Sequence, residues 1–185
     1  PSSSRPSVAF MASEHFVLEP VFDGSMKAMV VADLEGDGKS ELLLAGTDRL
    51  LAFRIDGAHL RPLAEYPLSG EGTVVTLEAI DVTGDGGAEV IVTMLHKGRF
   101  HAFVFQLADG KLLPIWVIPD LVLRPLLSNG KTPQLFGQAV VPGDRTTKPI
   151  HQYTWDGRNF HSGPALDVPA GVLLLRVESV AAALA

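Results

Sequence analysis

Two short acidic loops hold the residues of this sequence whose types and spacing best suit a chemical role. The first is Asp33-Leu34-Glu35-Gly36-Asp37-Gly38-Lys39-Ser40-Glu41, and the second is Asp81-Val82-Thr83-Gly84-Asp85-Gly86-Gly87-Ala88-Glu89. Each loop has oxygen-bearing side chains at its first, third, fifth and ninth positions, and a glycine at the sixth lets the backbone turn sharply. A hard cation such as Ca²⁺ takes about six to eight oxygen ligands, which closely spaced carboxylates supply.

Two interpretations of these loops follow from the residues. In the first, both loops bind Ca²⁺, and loop one is the better site because it has four carboxylates where loop two has three. The predicted ligands are the side chains of Asp33, Glu35, Asp37, Glu41, Asp81, Thr83, Asp85 and Glu89, with the carbonyl oxygens of Lys39 and Gly87. In the second, no metal is needed: the aspartates cap backbone N–H groups, Gly-Asp-Gly builds the turn, and the ninth-position glutamate pairs with a nearby Lys or Arg.

The elements that must position these loops are short apolar runs on either side of each. The loops begin 48 residues apart, at 33 and 81, and a repeat of this length is typical of propellers and solenoids. A second series of turns, the Asp-Gly pairs at 56–57, 109–110 and 156–157, lies in phase with the loops. Because Asp-Gly between two apolar runs is a strong hairpin signal, one unit should contain four strands.

We therefore predict an all-β fold, a β-propeller of four-stranded blades, with about four blades or half of a larger ring. The predicted blades cover residues 25–68, 72–119 and 120–168, and the third has a degenerate loop at 128–134. Residues 7–22 match a third and fourth strand and 171–185 a first and second, which predicts a split blade closed by both chain ends. Closure of this kind removes open sheet edges. The alternative is that both ends are cut from a longer ring.

Composition excludes several classes of function. A net charge of -6 argues against nucleic-acid binding, and the absence of cysteine excludes disulfides and thiolate metal sites. No apolar run is long enough to predict a membrane span. The six histidines are not at metal-ligand spacing, and the sequence has neither a nucleophile elbow nor a phosphate-binding glycine loop. We therefore predict no catalytic residues and no enzymatic activity.

The two loops and their flanking strands resemble the repeats of integrin-alpha-type FG-GAP, or VCBS-like, β-propellers. This resemblance implies calcium in loops between the first and second strands of each blade. It also implies an extracellular, periplasmic or cell-surface protein that binds partners and is not a catalyst. The sequence departs from the usual pattern at Glu35 and Thr83, where the family has Asp or Asn, and at the ninth-position glutamates.

The function that the resemblance implies is a binding or scaffold module that presents propeller loops to a protein partner. A second copy of the chain that completes the ring is one such partner. The first alternative is a carbohydrate-binding, lectin-like propeller with a glycan ligand, and the second is a hydrolase or lyase sited in the central channel. An interaction module predicts an exposed apolar patch. A lectin predicts aromatic-lined pockets, whereas we expect Trp116 and Trp155, which lie in strand-like runs, to fill the space between blades.

Overall fold

A computed structural model of the chain describes residues 26–68, 72–126, 133–144, 146–169 and 171–174. All regular secondary structure in these ranges is β-strand. The described residues contain no helix long and apolar enough to cross a membrane. In chain order the strands are β1 (Ala28–Ala32), β2 (Glu41–Ala45), β3 (Arg49–Asp56), β4 (His59–Pro67), β5 (Gly72–Ile80), β6 (Glu89–His96), β7 (Arg99–Ala108), β8 (Lys111–Pro119), β9 (Leu121–Leu126), β10 (Gln134–Ala139), β11 (Ile150–Trp155) and β12 (Phe160–Ala165).

These strands form three four-stranded antiparallel sheets, each made of four consecutive strands. We call them blade 1 (β1–β4), blade 2 (β5–β8) and blade 3 (β9–β12). The arrangement confirms the predicted all-β, propeller-like fold, although the sheets of the described residues do not close a ring. Of the predicted split blade, residues 7–22 and 175–185 lie outside the described residues, as do 128–132 of the third loop.

The hairpins of the three blades follow from their turn residues. Between β7 and β8, Asp109 and Gly110 have φ values of 50° and 68°, the left-handed pair that a tight two-residue turn requires. The last strands of blades 1 and 2 each carry a proline opposite a phenylalanine of the preceding strand, Pro62 in β4 and Pro114 in β8. Because proline lacks an N–H donor, it is suited to these outer edges and discourages edge-to-edge pairing.

The blades pack face to face through apolar side chains that alternate along each strand. One core cluster joins blade 1 to blade 2, and a second joins blade 2 to blade 3. In the second cluster, the ring centroids of Trp116 and Trp155 lie 5.0 Å and 4.9 Å from that of Phe160. Trp116 belongs to blade 2 and the other two rings to blade 3, so the prediction that the tryptophans fill the space between blades is confirmed.

Each blade has two distinct faces. We call the face toward the next blade in the chain the forward face, and the face toward the preceding blade the receiving face. In blade 1, Leu43 and Ala45 belong to the forward face, which packs against Val90 and Val92 on the receiving face of blade 2. Complete burial of each such aliphatic side chain stabilises the fold by about 1.5–3 kcal/mol, so these faces hold the blades together.

Candidate functional site

The two acidic loops lie at the same edge of the blades and touch each other. The backbone N–H of Ala88 donates a hydrogen bond to the carbonyl oxygen of Asp33 at 2.8 Å. A Cβ atom added to Gly87 would lie 3.0 Å from the carbonyl oxygen of Leu34, and one added to Gly36 would lie 3.0 Å from the backbone of Gly86. Side chains at either glycine would therefore push the loops apart, and the close approach makes one continuous acidic surface.

The carboxylates of loop two converge. Oxygen atoms of Asp81, Asp85 and Glu89 all lie within 4.8 Å of one another. Oxygens that share one Ca²⁺ at about 2.3–2.6 Å cannot be more than about 5 Å apart, and this group satisfies that limit. The structure therefore brings together three of the five ligands predicted for loop two.

Two of these carboxylates also order the backbone of the loop. Asp81 accepts hydrogen bonds from the N–H groups of Gly84 at 2.6 Å and Gly86 at 3.0 Å. Asp85 accepts one from the N–H of Gly87 at 3.0 Å and one from the side-chain amide of Gln106 at 2.5 Å. Each carboxylate oxygen has two acceptor sites, so one remains on each of these four oxygens for a cation. These carboxylate oxygens are therefore suitable ligands for a hard metal ion.

The ninth-position residue of loop two, Glu89, is fully buried. Its Oε2 accepts hydrogen bonds from the N–H groups of Val82 at 2.8 Å and Thr83 at 3.0 Å, and its Oε1 accepts one from the Thr83 hydroxyl at 2.9 Å. Burial raises the pKa of Glu89, and these hydrogen bonds oppose the rise. Thr83, predicted as a weak metal ligand, thus directs its hydroxyl hydrogen to Glu89.

Loop one has the same backbone capping. Asp33 accepts hydrogen bonds from the N–H groups of Asp37 at 3.1 Å and Gly38 at 2.8 Å. Glu41 is fully buried, and its Oε2 accepts one from the N–H of Leu34 at 2.9 Å. Its Oε1 is buried without a hydrogen-bond partner, and burial raises the pKa of Glu41. Both ninth-position glutamates therefore support the start of their own loops.

The remaining carboxylates of loop one form ion pairs with basic side chains of the protein. Glu35 forms an ion pair with Arg54 of β3, and Asp37 pairs with Lys39 at 3.3 Å. The N–H of Lys39 also donates to Asp37 at 2.9 Å, and this bond is the main reason that the pKa of Asp37 is lowered. Within the described part of the chain, loop one does not form a convergent group like that of loop two. Of the two loops, loop two therefore has the geometry better suited to a metal ion, and the ion pair expected at the ninth position is formed instead by Glu35 at the third position.

The structure also pairs polar residues that sequence spacing did not bring together. The imidazole rings of His96 and His101 lie 6.2 Å apart, one on each strand of the β6–β7 hairpin. The sequence feature that could have predicted this proximity is the two-residue turn Lys97-Gly98, which places β6 and β7 side by side. Between blades, Arg124 of β9 forms an ion pair with Glu78 of β5 at 3.2 Å.

Comparison with known proteins agrees with this architecture. The crystal structure of the rhamnogalacturonan lyase YesW is similar to the chain with a TM-score of 0.50 and 16% sequence identity, over 75% of this chain and 33% of that one. This chain therefore spans about a third of the lyase, and the likeness supports the fold alone. No curated protein sequence matches the chain. Residues 23–92, which hold both acidic loops, match the model of the FG-GAP-like repeat family. This match confirms, for residues 23–92, the resemblance to FG-GAP repeats that the two loops indicated.

Proposed function

We propose that this chain is a non-catalytic binding module that docks a protein partner through the receiving face of blade 1. The observation that carries the proposal is a pair of exposed apolar side chains on β1, where Met29 is 65% and Val31 is 56% exposed. Neighbouring residues Ala28, Val30 and Ala32 point to the other side and pack against blade 2. Exposed apolar side chains on a strand whose other residues are half-buried are typical of an interaction surface.

Blade 2 supports this interpretation because its equivalent residues are covered. Met29 and Val31 pair with residues 44 and 42 of β2, and Leu77 and Ala79 of β5 pair with residues 92 and 90 of β6. The two pairs lie at the same positions of the 48-residue repeat. Leu77 and Ala79 are packed into the cluster between blades 1 and 2. These two positions are therefore covered by protein on the receiving face of blade 2, whereas on blade 1 they are exposed, beside the buried residues Leu44, Leu51 and Phe53 of the same face.

We propose a second copy of the chain as the partner, in a two-fold contact that places the two receiving faces against each other. Two-fold contacts are the commonest in homo-oligomers, and they need only one self-complementary surface. Met29 is flexible enough to adapt to its own copy, and Val31 adds a rigid neighbour. Sedimentation velocity over a range of protein concentrations tests the proposal: we expect a dimer, and a monomer throughout the range would contradict it.

We further propose that loop two binds Ca²⁺ through Asp81, Asp85 and Glu89. Such an ion supplies positive charge that offsets the repulsion among these carboxylates and so stabilises the loop. An extracellular, periplasmic or cell-surface location, which the repeat family suggests, agrees with this, since extracellular modules commonly use weak calcium sites. Thermal unfolding with added Ca²⁺ and with chelator tests the proposal. A higher melting temperature in Ca²⁺ is expected, and coincident curves would contradict it.

The glycan-binding and enzymatic alternatives have less support. The ring of Trp116 stacks on that of Phe160, and the ring of Trp155 packs against Phe160 at an angle of 49°, so both tryptophans contact protein. A cleft of about 230 Å³ beside blade 3 includes Asp144 and Lys148, but these residues pair with each other at 2.6 Å. The hydrogen bond from Lys148 lowers the pKa of Asp144, which makes it a poor general acid.

A further inference from the structure

We infer that the forward face of blade 3 is a strand-docking surface. On it, residues Val172–Leu174 take the place that the first strand of the next blade takes on blade 2, and Gln138 positions them. This inference goes beyond the proposed function, because it concerns the opposite end of the blade stack and does not use the receiving face of blade 1.

The pattern is first seen between blades 2 and 3. Thr93, the fifth residue of β6, is fully buried on the forward face of blade 2. Its hydroxyl oxygen accepts a hydrogen bond from the backbone N–H of Leu123 at 3.3 Å. Leu123 lies in β9, the first strand of blade 3. A buried polar side chain on one blade therefore contacts the backbone of the next blade's first strand.

The same position in blade 3 is occupied by Gln138, the fifth residue of β10, which is also buried. Its side-chain oxygen accepts a hydrogen bond from the N–H of Leu174 at 2.7 Å. Its amide nitrogen donates to the carbonyl oxygens of Val172 at 2.9 Å and Lys148 at 2.7 Å. The glutamine therefore contacts the backbone at two points of this segment, two residues apart.

The apolar contacts repeat as well. On blade 2, Leu123 shares a buried cluster with Ile91, the third residue of β6. On blade 3, Leu174 shares one with Phe136, the third residue of β10. Leu174 thus has the same polar and apolar neighbours, by position in the blade, as Leu123.

The kind of segment that this surface fits follows from these contacts. It must be apolar where it meets Phe136, and it must present a carbonyl oxygen and an N–H two residues apart to Gln138. An extended strand does this, because alternate residues of a strand point to the same side. The chain's own Val172–Leu174 segment meets both requirements, although it is not part of a regular strand, so we assign it as the occupant. The forward face of blade 3 is thereby occupied by a segment that follows blade 3 in the chain.

Amide hydrogen exchange on the full chain tests the role of Gln138. Gln138→Met keeps the length of the side chain but removes both its acceptor and its donors. We expect exchange at the Leu174 amide to rise about tenfold while exchange at Leu123 stays unchanged. Thr93→Val should do the reverse, raising exchange at Leu123 and leaving Leu174 unchanged.

Three results would overturn the inference. Gln138 would have no positioning role if Gln138→Met left exchange at the Leu174 amide unchanged. The same conclusion would follow if the variant raised exchange at Leu123 and Leu174 equally. If Gln138→Met does not fold, the wild-type chain decides the matter. We expect its Leu174 amide to be protected to a degree similar to that of Leu123, and exchange at the rate of an unstructured peptide would exclude docking.

Discussion

The carbonyl oxygen of Asp33 accepts a hydrogen bond from the N–H of Ala88 at 2.8 Å, and this bond joins the acidic loop of blade 1 to that of blade 2. Asp33 is the first residue of its loop, and Ala88 is the eighth of the other. The two loops are therefore in direct contact, and a substitution in one should change the stability of both.

The glycine beside this junction leads to the first prediction. A Cβ atom at position 87 would lie 3.0 Å from the carbonyl oxygen of Leu34, which is backbone and cannot easily move aside. We expect Gly87→Ala to lower the free energy of unfolding by about 1–3 kcal/mol, the usual cost of overpacking. Urea unfolding followed by tryptophan fluorescence measures this change.

The matched control lies at the equivalent position of loop one, where the chain already has a side chain, that of Lys39. Lys39→Ala should change the free energy of unfolding by less than about 0.5 kcal/mol, as exposed substitutions usually do. Equal effects of the two alanines would mean that the contact between the loops is not the cause.

The fold could be predicted from the sequence because its signals are local. Turn residues such as Asp109-Gly110 determine a hairpin through their own backbone preferences, wherever the hairpin lies in the protein. Two loops in phase with these hairpins then set the length of one blade. The strand order within each sheet follows, since neighbouring strands joined by tight turns pair antiparallel.

The detail of the candidate site could not be predicted in the same way. Glu89 was expected only as a ligand or an ion-pair partner, and neither its burial nor its hydrogen bonds from the N–H groups of Val82 and Thr83 were predicted. The ion pair of Glu35 with Arg54 and the hydrogen bond of Gln106 to Asp85 each join a loop residue to a strand about 20 residues further along the chain. Spacing along one sequence does not reveal such contacts, and they decide which loop has convergent carboxylates.

The metal proposal gives the second prediction. A ligand present at a hundred times its dissociation constant stabilises the folded state by about 2.7 kcal/mol, so bound Ca²⁺ should raise the melting temperature measurably. We expect Asp85→Asn to lose most of this rise, because the substitution removes one of three converging negative charges. Differential scanning calorimetry with and without Ca²⁺ measures the difference.

Asp37→Asn, at the equivalent position of loop one, is the control for this measurement. Its carboxylate is already paired with Lys39, so the variant should keep the response of the wild type to Ca²⁺. A response that disappears in Asp37→Asn and persists in Asp85→Asn would place the ion in loop one instead.

The third prediction concerns the buried Glu89. Glu89→Met leaves the N–H groups of Val82 and Thr83 without their acceptor, and we expect a loss of about 1–3 kcal/mol in stability. Glu89→Gln is milder, because its carbonyl oxygen can accept from both N–H groups while its amide donates to the Thr83 hydroxyl. Chemical unfolding in chelator, which removes any effect of metal, compares the two. Similar losses in both variants would argue against the capping role.

The fourth prediction is a dependence on pH. Burial raises the pKa of Glu78 above the ordinary value of 4.5, while the ion pair with Arg124 opposes the rise. The folded chain therefore keeps a proton on Glu78 at pH values where the unfolded chain has lost it. Ionisation of Glu78 thus destabilises the fold progressively as the pH rises from the ordinary value through the folded pKa.

Glu78→Gln removes this titration. We expect the melting temperature of the wild type, relative to that of the variant, to fall as the pH rises above the ordinary pKa of 4.5 and through the raised pKa of the folded chain. Melting curves of both proteins in chelator across this range provide the comparison. A difference that is constant or rises with pH would show that the pKa of Glu78 is not raised in the folded chain.

The central claim, that the receiving face of blade 1 docks a second copy of the chain, is tested most directly by sedimentation velocity. We predict a dimer for the wild type and a monomer for the double variant Met29→Lys, Val31→Lys, because charges at these positions resist burial. Val117→Lys, on a β8 side chain that is 51% exposed, is the matched control and should remain a dimer. A wild-type chain that is monomeric at every concentration, or a double variant that still forms the dimer, would contradict the claim.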